Sequence, residues 1–312
     1  MALFRNIRPY LIKICILCFL CCLLLFPSTA LTGAGNGLSL WFHQVLPSLL
    51  PFLILSALLL STGLSDSIAR HLAPLLSPVF RCSPSGCYAI VIGLLSGLPV
   101  GARTIAALVE SGRITKSEGQ YLLPLCNNPS PLFLLGFISV SILNQPHLRY
   151  PLFCIVTLSS VFAAILLRPK QSNTPESPID DSQKPFSFSF VLLDSAIEQS
   201  FLILSRVGGY IILFSVLANL FAKLPLPAFV LACAGSFLEI TTGSAALSAL
   251  PLPDSLLISL ITGFVAFGGL SAAAQTKSVL AGTGFPFAHY LLTKAIAGLL
   301  AGILMVVYLR IH

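Results

Sequence analysis
Glu239 is an acid set in the middle of an apolar stretch, between Phe237-Leu238 and Ile240. A carboxylate there is costly to keep in hydrocarbon, so it reads first as functional, either carrying a coupling proton or binding a cation with nearby hydroxyls. The bland alternative is a structural group held by a neighbouring threonine. Thr241, Thr242, Gly243 and Ser244 follow it, and small polar residues interrupt apolar sequence in three other places. Ser96, Gly97, Pro99 and Gly101 form one interruption, with Arg103 just beyond it. Asn127, Asn128 and Ser130, mixed with two prolines, form another; Gly268, Gly269, Ser271 and Gln275 form the last. Asn, Ser, Thr and Gln offer both donors and acceptors, which suits a polar solute. Arg103 could pair with a carboxylate on that solute, or else snorkel to an interface. For Arg206, pairing with Glu198 or Asp194 is the simpler reading, and for Lys294 it is snorkelling from a helix end.

The elements that must carry these residues are membrane helices. Apolar residues make up 56% of the 312 and charged residues only 9%, too few to cover a soluble surface. The apolar blocks run to about 20 residues, enough to cross roughly 30 Å of hydrocarbon. The net charge of +7 is then explained by cytoplasmic Lys and Arg that orient the chain. No basic run interleaved with aromatics points to nucleic acid. The cysteines, including Cys82 and Cys87, lack partners at zinc spacing, so no metal or other cofactor is expected. No HExxH, Gly-x-Gly-Asp pair or Ser/His arrangement suggests an intramembrane enzyme.

An N-terminal spanning helix is expected within 1–31, retained rather than cleaved, with Thr32 to Ser39 as a loop outside. A span over about 45–63 and an interfacial helix over 65–81 follow. Residues 88–110 are long enough to span, but Pro99 removes a backbone donor and the glycines weaken the helix, so a re-entrant hairpin is predicted. Thr115-Lys-Ser-Glu118 matches a capping box that opens the next helix. That helix is broken at Asn127-Asn128-Pro129-Ser130-Pro131, and a span over about 150–167 closes the set. Pro169 to Pro185, rich in Pro, Ser and charge, reads as a linker.

After the linker the pattern recurs. At a shift of 142 residues, Gly93 and Gly101 fall on Gly235 and Gly243; at 141, Cys126 to Ser130 fall on Phe267 to Ser271. The reading is two repeats, 38–168 and 187–312, joined by a cytoplasmic linker at 169–186. Each repeat has three crossings, one of them broken, and a hairpin. An odd number of crossings inverts the second copy. The expected fold is thus an all-α polytopic membrane protein of two inverted repeats plus an N-terminal helix. Inverted repeats with paired discontinuous helices mark secondary transporters, because lipid tolerates broken backbone only beside protein or water.

The patches GLPVGAR, CNNPSP, LEITTG and FGGLSAAAQT resemble the YlbJ-type sporulation integral membrane proteins, which carry a nucleoside-recognition (Gate) domain related to concentrative nucleoside transporters. The resemblance runs from about Leu46 to Leu309. It implies a multi-pass protein of the mother-cell or outer forespore membrane that transports a small solute, dipicolinate first, during spore maturation, with a coupling proton or sodium ion. Related folds imply a homo-oligomer by analogy. The alternatives are a nucleoside carrier and a non-transporting sporulation scaffold.

Overall fold
The computed structural model describes residues 2–62, 64–169 and 189–312, so all but the first residue of the predicted linker lies outside the described residues. Every element among them is helical. Among the described residues four helices are long and apolar enough to cross a membrane: Pro146–Leu166, Phe190–Phe221, Asp254–Val279 and Phe287–Ile311. Two further pairs, each sharply bent at a short break, would raise the number to six. The chain is an integral membrane protein.

The N-terminal part departs from expectation. Helix α1 (Ala2–Leu25) bends by 103° into α2 (Pro27–Leu40), so the segment expected as a loop is helical. The reason lies in Gly33 and Gly37. Both are buried where α2 meets the long helix α9 (Phe190–Phe221), and a Cβ on either would strike the α9 backbone at Val216 or Ile212. Close backbone approach through small residues is how membrane helices associate without a hydrophobic drive between them. A short π-helical turn, Trp41–Val45, then runs into α3 (Leu46–Ser61). The Trp41 ring lies on Gly208, and its Nε1 donates to the Leu204 carbonyl at 2.9 Å. Helix α4 (Leu64–Phe80) occupies the predicted interfacial segment and meets the next helix at 90°.

From there the order of hairpin, broken helix and long helix occurs twice. The first hairpin is α5 (Pro84–Ser96) and α6 (Val100–Glu110). The first broken helix is α7 (Lys116–Cys126), resumed as a π-helix over Phe133–Ile142; α8 (Arg149–Leu166) follows. After α9 come the hairpin α10 (Ala228–Leu238) and α11 (Ile240–Ser248), the broken pair α12 (Asp254–Phe267) and α13 (Gly269–Val279), and α14 (Phe287–Ile311). The hairpin tips, Gly97 and Glu239, are themselves 142 residues apart.

The capping box at Thr115 is half realised. Thr115 Oγ1 accepts from the Glu118 N–H at 3.1 Å. The Glu118 carboxylate, instead of returning to Thr115, accepts from the Ser83 N–H at 2.6 Å and fastens α7 to the start of α5. Ser83 is the N-cap of α5, so one acid serves two helix starts.

Candidate functional site
Each hairpin tip packs on the break of its own repeat. In the first, Gly97 takes a left-handed conformation (φ +75°), and the Leu98 N–H donates to the Asn128 carbonyl at 2.7 Å. A Cβ on Gly97 would lie 2.5 Å from the Ser130 nitrogen, and one on Gly101 would run into the Cys126 carbonyl. In the second, a Cβ on Gly269 would meet the Leu238 carbonyl at 3.3 Å and the Ile240 side chain at 3.2 Å. Glycine sits at these points because the crossing backbones leave no room for a side chain.

The four breaks meet at one small cavity of about 60 Å³. Leu98 comes from the first tip, Pro129 and Ser130 from the first broken helix, Glu239 to Thr241 from the second tip. Gly268, Ser271 and Gln275 come from the second broken helix. The remaining wall is apolar, chiefly Leu49 of α3 with Val207 and Ile211 of α9. Sequence reasoning passed over these wall residues, since nothing separates them from other membrane-helix aliphatics until the helices are packed.

Glu239 is 3% exposed and caps α11. Its Oε1 accepts from the Thr241 N–H at 3.1 Å and its Oε2 from the Thr242 N–H at 2.7 Å. The carboxylate therefore rests on the positive end of a half-helix, which offsets part of its burial cost. Thr241 Oγ1 and Gln275 Oε1, both buried in the cavity lining, have no hydrogen-bond partner among the described residues. Gln275 Nε2 donates to Ser271 Oγ at 3.2 Å. A polar group left so in the interior is expensive unless a ligand or water satisfies it. Among the described residues the lining holds one carboxylate and no Lys, Arg or His.

Other expected residues sit beside the cavity and build it. Asn127 Nδ2 donates to Thr276 Oγ1 and to the Tyr290 hydroxyl, both at 2.8 Å, tying the first break to α13 and α14. Asn128 Oδ1 accepts from Ser160 Oγ at 2.6 Å and from Lys294 Nζ at 2.8 Å. Thr242 Oγ1 lies 3.0 Å from Ser215 Oγ on α9. Gly243 lets the second hairpin close against the Ser236 backbone, and Ser244 is fully buried on α11. Ser96 and Pro99 are buried at the first tip.

Lys294 does not snorkel: it is 1% exposed. The sequence carried a signal for this. Tyr290, Lys294, Gly298 and Ala301 share one face of α14, and the small residues mark that face as helix-packed. Arg206 is exposed on α9 and forms no ion pair with Glu198 or Asp194. Arg103 is exposed and lines a second, separate cavity.

Broken helices gathered around a shared cavity define a polytopic integral membrane protein. Residues 42–169 match the family described as nucleoside recognition, or Gate. The chain is also 27% identical, over 89% of its own length and 77% of the relative's, to the sporulation integral membrane protein YlbJ of Bacillus subtilis (strain 168). Both findings bear out the resemblance drawn from the motifs. No solved structure matches the chain.

Proposed function
We propose that this protein is a carrier for a small polar or anionic solute, binding it in the cavity at the four helix breaks. The observation that carries this reading is the convergence of all four breaks on one cavity with two unpartnered polar side-chain atoms, Thr241 Oγ1 and Gln275 Oε1. Broken backbone at membrane depth belongs where it faces a solute or water. The recurrent element order is compatible with two repeats of opposite orientation, the arrangement that allows alternating access.

Similarity to a sporulation membrane protein supports a role in spore formation, at the mother-cell or outer forespore membrane, and the finer reading is dipicolinate transport. The half-helix N-terminus of α13 favours its carboxylates. Glu239 opposes them, so a dicarboxylate would travel with a proton or cation that neutralises that acid. The absence of a cationic side chain in the lining favours a second reading, a neutral solute such as a nucleoside, in keeping with the Gate family's description.

Uptake of labelled dipicolinate beside uridine into proteoliposomes separates these. Thr241→Val and Gln275→Ala should each raise KM about tenfold for the true solute, the effect of one lost hydrogen bond of about 1.4 kcal/mol. No saturable uptake of either compound by folded, inserted protein would leave a scaffold or a different solute.

A further inference from the structure
The second cavity, about 340 Å³, is bounded by α3, α6 and α9. Its lining includes Arg103, Gln199 and Ser61, all exposed, above a buried polar floor of Ser56, Thr104 and Ser200. The Arg103 guanidinium has no hydrogen bond or ion pair with another described residue, and only the backbone N–H is engaged, donating to the Pro99 carbonyl at 3.0 Å, so the charge is available to a ligand.

The two cavities share walls. The central one touches Leu49, Leu98 and Val207; the second touches Leu53, Val100 and Ile203. Leu49 and Leu53 are one turn apart on α3, as are Ile203 and Val207 on α9. Leu49, Leu53, Val100, Ile203 and Val207 are buried in a single packed cluster. The cavities are thus successive chambers divided by an apolar collar about one helical turn thick.

Chain direction says which side the second chamber faces. It lies toward the C-terminal end of α3, toward the end of α6 that leads to Arg113 and Lys116, and toward the start of α9, where the linker ends. All three directions agree on the linker side.

We infer that the Arg103 chamber is a vestibule that captures a carboxylate-bearing solute on the linker side and hands it across the collar to the central cavity. This rests on the carrier reading above, yet capture can be measured without transport. The Ala107→Cys position lies one turn from Arg103 in the chamber lining. Its labelling by an anionic and a cationic methanethiosulfonate, read on that peptide by mass spectrometry, reports the local field.

With Arg103 present, the anionic reagent should react about tenfold faster than the cationic one, after correction for their intrinsic rates. Arg103→Gln should bring the ratio to about one, and Arg103→Lys should restore it. Soluble dipicolinate should slow labelling at that position. A ratio unchanged by Arg103→Gln overturns the proposal. Protection by anionic lipid in the vesicle, with none from soluble dicarboxylate, also overturns it by making the chamber a headgroup site. In uptake, Arg103→Gln should raise KM several-fold for solute offered on the linker side and leave the opposite side unchanged; an equal change on both sides moves Arg103 to the central site. Failure of dipicolinate uptake with labelling as expected would sink dipicolinate carriage and leave the anion site standing.

Discussion

Lys294 Nζ donates to Asn128 Oδ1 across 2.8 Å, joining α14 to the break in the first repeat although the two residues lie 166 positions apart. The same oxygen accepts from Ser160, and the amide nitrogen of Asn128 donates to the Leu125 carbonyl at 2.7 Å. One carboxamide therefore holds the unwound segment to two helices and to the turn before it.

The two ends of this contact should respond unequally to mutation. Asn128→Ala strands a buried lysine and should destabilise by about 3 kcal/mol or more. Lys294→Met keeps the volume and leaves Asn128 served by Ser160, so about 1 kcal/mol is expected. The double variant should cost less than the two single effects together. Thermal unfolding in detergent measures all three, and simple additivity would mean the contact does not form.

Glu239→Gln keeps an oxygen to cap α11 and should lower stability by only about 1 kcal/mol. If the carboxylate couples transport, the variant should lose accumulation against a gradient and still insert in the membrane. Unchanged accumulation would reduce Glu239 to a helix cap.

Gly101→Ala should be poorly tolerated, because its methyl group would enter the Cys126 carbonyl and prise the hairpin from the break. A loss of about 2 kcal/mol or more is expected from such overpacking. Gly136, in the π-helix, has open space around it and serves as the control: Gly136→Ala should be neutral or slightly stabilising. Equal effects at the two sites would contradict the close crossing.

Opposite orientation of the repeats can be read from labelling. A cysteine placed at Gly282, in the turn after α13, should react with an impermeant reagent from the cytoplasm, and one at Pro253, before α12, from outside. The reverse pattern would mean that a hairpin crosses the membrane.

Much of the site was legible because breaks in apolar sequence are conspicuous. Pro99, the Asn127–Pro131 run and the Gly268-Gly269 pair each interrupt a helix at or beside the expected residue, since local backbone chemistry is enough to do so. Thr32 to Ser39 was misread for the converse reason. Its glycines and serines look like a loop, yet in a membrane such residues also let helices touch, and composition does not separate the two uses.

Composition and periodicity by themselves determined that this is a helical membrane protein, where its helices break and which polar residues lie at the breaks. These follow from short-range rules: hydrocarbon excludes unpaired backbone, and proline and glycine weaken helices wherever they stand. Only the tertiary structure decided that Thr241 and Gln275 share a cavity, that Arg103 lines another and that Lys294 is buried against Asn128. Those outcomes depend on how helices far apart in sequence cross, and a side chain's partner is set by the crossing rather than by its neighbours in the chain.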